Sequence, residues 1–157
     1  MKKTKSDGPL DASLVVETYA VRGSECAFAN VKLMSRIVTT LYDDELRPCG
    51  LRASQLALLW AIAALQPVDL SRLGAVTLTD QTTLSRTVAN LKRERLISVR
   101  PGDDRRVKIV ALTPSGRQRF AAAMPYWERA QVRAAALLPL DEIRRIARGV
   151  RKNAAAV

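Results

Sequence analysis

The segment at residues 79–116 constrains the fold more than any other part of the sequence. It begins with a short polar helix pattern, TDQTTLSRTVANLKRER, and passes directly into two apolar runs joined by the charged loop PGDDRR. The runs at residues 96–99 and 107–112 are rich in β-branched side chains and are separated by turn-forming residues, which predicts a two-stranded antiparallel hairpin. A helix followed at once by a hairpin therefore predicts a mainly α fold with a small β-hairpin.

Chain length and composition predict one helical domain. A chain of 157 residues is the size of an ordinary domain, and 48% hydrophobic with only 4% aromatic residues favours a core of alanine, leucine and valine. Residues 1–11 are polar and contain glycine and proline, so we expect a disordered arm there and the single domain at residues 12–157.

Apolar residues recur at helical spacing from Ser24 until Pro48 ends the pattern, which predicts a long amphipathic helix over residues 24–48. Ser54 is predicted to cap a second helix, which Pro67 ends and which is apolar on nearly every side. Such a helix is expected at the buried centre of the fold.

Two short helices come next and form a helix-turn-helix pattern. Asp69 opens the first, which is expected to end near Ala75, and Asp80 opens the second, which is the polar helix. Apolar residues at i, i+4 and i+7 predict the inward face of the polar helix. These residues are Leu84, Val88 and Leu91.

The outward face of the polar helix carries side chains that suit the edges of DNA bases. In a major groove, Gln or Asn can pair with adenine, Arg with guanine, and a Thr methyl group with thymine. A solvated helix face without DNA explains the same pattern equally well when the helix is taken alone. The residues predicted to lie in the major groove are Gln81, Thr82, Thr83, Ser85, Arg86 and Asn90.

Basic charge on the helix and hairpin favours DNA. The chain carries 26 Lys and Arg against 15 Asp and Glu, a net charge of +11, which favours a polyanionic partner through counterion release. Residues 86–108 hold eight basic and three acidic side chains, whereas residues 1–50 hold seven of each. Arg105 or Arg106 at the hairpin tip is expected to reach the minor groove. The alternative is an Asp104 to Arg106 pair that fixes the turn, and we expect both in part.

The ordered motifs resemble those of the MarR-type winged-helix regulators. In that family the hairpin carries Asp-x-Arg, then an apolar strand and Leu-Thr-x-x-Gly, which stand here at residues 104–106 and 112–116. The segments TTLSRTVANLKRERLI and LRPCGLRASQLALL belong to the resemblance, which covers roughly residues 24–150. One departure is Arg95, where the family usually has glycine, so strain is expected if its backbone is left-handed.

The resemblance implies a winged helix-turn-helix DNA-binding lobe at residues 52–112 with dimerisation helices at 24–48 and 114–151. The polar helix would lie in the major groove, and the wing would contact the minor groove. Ser54, Arg105, Arg106 and Lys108 are assigned to wing or phosphate contacts. The expected partners are double-stranded DNA and a second copy of the chain, and the expected function is that of a repressor acting as a homodimer.

Apolar stripes outside the DNA-binding lobe support the dimer. A long helix is predicted to begin at Pro114 and another after Pro139, and both carry apolar residues at helical spacing. Together with the helix at 24–48 they present more apolar surface than one protomer needs. The alternative is that one of these stripes is only core within the chain.

Relatives in the family bind small aromatic compounds or sense oxidants, and both possibilities have candidates here. Tyr42, Trp60 and Trp127 are candidate walls of an aromatic effector pocket, although aromatic residues at helical spacing are more often core. Cys26 lies near the position of the relatives' sensing cysteine, but matching their tyrosine to Tyr42 places that cysteine two residues later. Both cysteines of the chain, Cys26 and Cys49, are therefore expected as small buried hydrophobes.

Several classes of function are not expected. The chain has no histidine, no CxxC spacing and no nucleophile motif, and the acidic clusters at 43–45 and 103–104 look like a solvated helix end and a turn. An enzyme, a metal site and a cofactor are not expected. The N-terminal lysines precede no apolar stretch, so we expect a cytoplasmic protein without a membrane partner. A non-specific nucleic-acid-binding protein remains the rival to a regulator.

Overall fold

Seven α-helices and a three-stranded antiparallel sheet make up residues 12–104 and 106–154, which are the residues that the computed structural model describes. The predicted mainly α fold with a small hairpin is confirmed, and the predicted arm at residues 1–11 lies outside the described residues. In chain order the elements are α1 (Ala12–Ala20), α2 (Ala27–Leu46), α3 (Ala53–Leu65), β1 (Val68–Asp69), α4 (Leu70–Thr77), α5 (Gln81–Arg93), β2 (Ile97–Pro101), β3 (Lys108–Leu112), α6 (Pro114–Leu137) and α7 (Leu140–Ala154).

The chain divides after Val38 into two compact units, and α2 continues from the first into the second. α2 is shorter than predicted at both ends, because Val21–Glu25 and Arg47–Cys49 form short 3₁₀ helices on either side of it. Large apolar side chains in the first unit are exposed to solvent. They are Val16, Tyr19, Val21, Phe28, Val31, Leu33, Met34 and Ile37.

α3 lies at the centre of the second unit, as predicted. Leu56, Leu59 and Ile62 are buried and belong to one hydrophobic core with residues of α4, α5, the sheet and α6. The prediction that α3 is buried on nearly every side is wrong at Trp60, which is 41% exposed. Its ring lies against Phe120 and Trp127 of α6, at the margin of the core.

The start of α3 differs from the prediction, because Ser54 is not its cap. Arg52 occupies the cap position, and Ser54 is the second helical residue. Arginine offers no acceptor there, so two other side chains supply one. The Gln55 Oε1 atom accepts from the Arg52 N–H at 2.9 Å, and the Asp43 Oδ1 atom accepts from the Ala53 N–H at 2.7 Å.

The sheet contains a third strand that the sequence did not predict. The strands lie in the order β1-β3-β2, and the two-residue strand β1 pairs Val68 with Val110 and Asp69 with Ile109. Two residues are too few to show the alternation by which strands are recognised. The hairpin strands β2 and β3 each begin one residue later than the predicted runs at 96–99 and 107–112, β2 extends to Pro101, and β3 ends at Leu112 as predicted.

The expected strain at Arg95 is present, because its φ of 58° lies in the left-handed region. A non-glycine residue in this region costs about 1–2 kcal/mol. Glycine removes that cost, but it loses more conformational entropy on folding, so the net gain in stability is smaller. We expect Arg95→Gly to raise the free energy of unfolding by roughly 0.5–1 kcal/mol, measured by urea denaturation.

Arg95→Ala is the matched control, because it removes the same side chain but keeps the cost of a Cβ atom at positive φ. The glycine variant should be the more stable of the two. Equal stability of the two variants would show that this backbone position carries no strain.

Candidate nucleic-acid interface

The predicted inward face of the polar helix α5 packs against the hydrophobic core. Leu84, Val88 and Leu91 are 1%, 6% and 0% exposed, so that prediction is confirmed. Asp69 caps α4 and Asp80 caps α5, as predicted. Their carboxylates accept hydrogen bonds from the Arg72 and Thr83 backbone N–H groups at 2.8 and 2.9 Å.

The predicted major-groove residues line the opposite side of α5. Asn90 is half-buried beside the core helix α3, and the other five are exposed. The Thr83 side chain is hydrogen-bonded to the Asp80 carboxylate, whereas the other side chains make no hydrogen bond among the described residues and keep their donors and acceptors open to solvent. The exposed residues are Gln81, Thr82, Thr83, Ser85 and Arg86.

The cap of α5 makes the stability of this helix depend on pH. Hydrogen bonds from the Thr83 backbone and side chain lower the pKa of Asp80 below its ordinary value. A depressed carboxyl pKa contributes stability that is present above the unfolded-state pKa and is lost as pH falls through the folded-state pKa, here below about pH 4. Asp80→Asn should keep the cap, because asparagine is an equally good N-cap, but should remove this titration.

We therefore expect the urea midpoints of the wild type and of Asp80→Asn to keep a constant difference between about pH 5 and pH 7. Below about pH 4 the wild type should lose stability faster than the variant. Parallel losses across the acid range would contradict the assignment of the shifted pKa to Asp80.

The wing turn between β2 and β3 is braced by its own backbone. The Gly102 N–H donates to the Val107 carbonyl at 2.8 Å, and the Val107 N–H donates to the Asp104 carbonyl at 2.9 Å. Asp104 braces Arg106 through a 2.9 Å hydrogen bond from the Arg106 backbone N–H to Oδ1. Among the described residues no ion pair joins the Asp104 and Arg106 side chains. The expected contact between these two residues is instead made by the Arg106 backbone N–H. Arg105 lies outside the described residues.

The basic side chains of the wing are open to solvent. Arg106 at the turn and Lys108 at the start of β3 are exposed, and Arg100 on β2 is exposed as well. The described wing thus presents cations next to α5, on the side where Lys92 and Lys108 line a cleft of about 360 Å³. Arg100 also lines this cleft and was not among the predicted site residues.

A larger groove, of about 510 Å³, opens between the start of α3 and the flank of α5. Two predicted site residues, Ser54 and Asn90, lie together in it. Three basic residues beside them were not among the predicted site residues, because Arg93 lies about 40 residues from Arg47 and Arg52 in the sequence. These residues are Arg47, Arg52 and Arg93.

The candidate aromatic residues divide into two groups. The Trp60 and Trp127 rings are in contact, with centroids 5.1 Å apart, and Phe120 lies 5.5 Å from Trp60. The Tyr42 hydroxyl donates to the Gln131 Oε1 atom at 2.9 Å, and burial raises the pKa of this tyrosine while the Arg144 charge opposes the rise. Among the described residues Tyr42 makes no ring contact with either tryptophan.

The two cysteines are not buried as expected. Cys26 is exposed immediately before α2, where its carbonyl accepts from the Asn30 N–H. Cys49 is half-buried, and its thiol donates to the Leu46 carbonyl at 3.0 Å. The acidic end of α2 also differs from the solvated end that was predicted, because Glu45 is paired with Arg129 at 3.1 Å.

A helix-turn-helix followed by a basic β-hairpin defines a winged-helix DNA-binding protein, and residues 51–116 match the family model described as a winged helix DNA-binding domain. The chain as a whole belongs to the MarR family of transcriptional regulators. It is similar to the M. tuberculosis regulator MosR, solved in complex with DNA, at 30% identity over 83% of this chain and 97% of that one, with a TM-score of 0.74.

Two further similarities are more distant. A variant of MarR from E. coli, complexed with operator DNA, shares the fold at 19% identity, with 79% of this chain and 90% of that one covered and a TM-score of 0.68. The HTH-type transcriptional regulator YwoH of Bacillus subtilis is 24% identical over 55% of this chain. The match spans 63% of the length of YwoH.

None of the described helices alone has both the length and the apolar composition of a membrane span. One pair of segments, Ala27–Cys49 and Ala53–Leu65, has that length and composition when the two are taken together, but the pair is bent by 77°.

Proposed function

We propose that this MarR-type regulator is a cytoplasmic, sequence-specific repressor that binds double-stranded DNA as a homodimer. The observation that carries the proposal is the exposed, hydrogen-bonding face of α5 beside a basic wing. The complex of the similar regulator MosR with DNA supports it.

Within this proposal α5 lies in the major groove, where Arg86 has the reach for guanine and Thr82, Thr83 and Ser85 suit neighbouring base edges. Gln81 and Asn90 complete the set of base-reading side chains. The wing holds Arg105, Arg106 and Lys108 against the backbone and the minor groove. Ser54, exposed in the first turn of α3, contacts a phosphate.

Exposed apolar helix faces support the homodimer. Ile143, Ile146 and Val150 of α7 are 37%, 60% and 55% exposed, and contiguous apolar surface of this kind marks an interaction site. Separately, residues 27–38 of α2 expose a second apolar face. Two copies related by a twofold axis bury such faces and present two α5 helices to half-sites about one helical turn apart.

A small aromatic effector would regulate such a dimer by binding preferentially to a form whose α5 spacing does not fit the half-sites. The exposed edge of Trp60 against Trp127 supports an aromatic ligand on the α3–α6 side, with Tyr42 as the third candidate wall. Loss of DNA binding when such a compound is added, with recovery on its removal, is the result expected.

Fluorescence-anisotropy titration against the DNA upstream of the gene and against a scrambled duplex tests the function. A repressor should prefer its own duplex by on the order of a thousandfold and keep that preference at moderate salt. Equal and strongly salt-dependent binding to both would favour the rival, non-specific nucleic-acid binding.

The exposed thiol at the start of α2 is a specific observation in favour of a redox-sensing regulator. Under that alternative, mild peroxide should weaken DNA binding by the wild type and leave Cys26→Ser unaffected. An unchanged affinity of the wild type after peroxide treatment would end the redox hypothesis.

A further inference from the structure

Arginines from three separate elements line the groove between α3 and α5. Arg47 lies in the 3₁₀ helix after α2, Arg52 at the cap position of α3, and Arg93 at the end of α5. All three residues are exposed. Guanidinium groups that converge on one groove are suited to phosphodiester oxygens, which they bind through paired N–H donors.

The Asp43 carboxylate contacts both Arg52 and the backbone at the start of α3. Asp43 accepts from the Ala53 N–H through Oδ1, and its Oδ2 atom lies 3.3 Å from Arg52 Nη1. The Asp43 side chain is 25% exposed and the Arg52 side chain 77% exposed, so the acid is mostly buried and the arginine is open to solvent. Among the described residues the Arg93 guanidinium makes no ion pair.

The groove adjoins the DNA-reading side of α5. Ser54 and Thr87 line it and also line a neighbouring cleft of about 160 Å³ that reaches Thr83. A strand of DNA whose major groove contained α5 would pass along this flank, since the sugar-phosphate backbone borders the groove. Arg52 and Arg93 thus lie where a phosphate would come under this placement of α5, whereas Arg47 is paired with Asp44.

We infer that this groove seats one phosphodiester of the DNA backbone, with Arg52 and Arg93 as its ligands, and that Asp43 weakens the seat by competing for Arg52. The inference rests on the proposed placement of α5 in the major groove. The Asp43 carboxylate stays beside the seat because it caps Ala53, so an incoming phosphate meets both a paired arginine and a nearby negative charge.

Neutralising this acid tests the inference, because asparagine keeps the acceptor for the Ala53 N–H. Asp43→Asn should bind DNA roughly three- to fivefold more tightly than the wild type. The gain should be the same on specific and scrambled duplexes, because a phosphate carries no sequence information. The slope of log affinity against log salt should steepen by up to about 0.9, the value for one further phosphate contact.

A double-mutant cycle identifies the arginine involved. Arg52→Gln should weaken DNA binding more in the Asp43→Asn background than in the wild type, because Arg52 is partly neutralised only in the latter. Glu25→Gln with Arg22→Gln is the matched control cycle, since this exposed pair lies outside both helix faces proposed for the dimer and involves the same charges. Arg93→Gln should weaken binding to every duplex.

Several results would overturn the inference. An Asp43→Asn affinity equal to or below that of the wild type, or equal to that of Glu25→Gln, would show that Asp43 does not compete with the phosphate for Arg52. Binding of inorganic phosphate that Arg52→Gln abolishes without any change in DNA affinity would assign the groove to a small anion. Absence of DNA binding by the wild type is a different result, which would refute the proposed function itself.

Discussion

Gly116→Ala is expected to lower the free energy of unfolding by roughly 3 kcal/mol or more, the upper range for an overpacked core site. Gly116 is buried in the first turn of α6, where a Cβ atom would collide with the Leu96 carbonyl oxygen and lie 2.8 Å from its carbonyl carbon. These are backbone atoms that precede β2, so no side chain can turn away. Urea denaturation followed by far-ultraviolet circular dichroism measures the loss.

The contact explains why this junction admits no side chain. The Thr113 N–H donates to the Leu96 carbonyl at 3.1 Å, and the Thr113 hydroxyl accepts from the Gly116 N–H at 2.9 Å. The start of α6 is thereby fixed against the chain segment that leads into the wing. A shift that relieved the clash would break these bonds.

Gly149→Ala is the matched control for this substitution. Gly149 lies in α7 with no atom within 4 Å of an added Cβ, so alanine should raise stability by about 0.5–1 kcal/mol through helix propensity. If Gly116→Ala were as stable as the wild type, the close approach of α6 to Leu96 would be wrong.

Arg86→Ala is expected to weaken binding to the preferred DNA site by roughly 10- to 100-fold, the loss for one bidentate contact to guanine. The affinity for a scrambled duplex should change by only a few fold, because the lost contact reads a base. The physical reason is the position of Arg86, exposed on α5 one residue after Ser85 and opposite the buried Val88. Anisotropy titration of both duplexes gives the ratio.

Arg22→Ala controls for the loss of one positive charge, because Arg22 is an exposed arginine outside the proposed dimer faces and is paired only with Glu25 among the described ion pairs. It should leave the preference between the two duplexes unchanged. An Arg86→Ala variant that kept both its affinity and its preference would show that α5 is not placed in the groove as proposed.

Local patterns in the sequence were sufficient to predict that α2 to α7 and the hairpin exist, although not every one of their ends. The caps at Asp69, Asp80 and Thr113 are short-range features, and each accepts a hydrogen bond from a residue three positions later. The inward face of α5 followed from its 3.6-residue period. The family resemblance gave strain at Arg95 only as a condition, and the left-handed backbone that meets this condition was seen first in the structure.

Features that depend on distant residues could not be predicted in this way. Arg52 replaced Ser54 at the cap of α3 because Asp43, on another helix, supplies an acceptor to the first helical N–H. β1 exists only because β3 offers it a partner. Likewise Glu45 pairs with Arg129 and Arg133, 84 and 88 positions away, and these hydrogen bonds lower its pKa.

Selection of binding sites from a library of random duplexes tests the central claim most directly, because it needs no knowledge of the operator. We expect enrichment of an inverted repeat whose half-site centres lie about 10 base pairs apart, one turn of the double helix. Recovery of sequences without a common motif, bound with equal affinity and steep salt dependence, would contradict it.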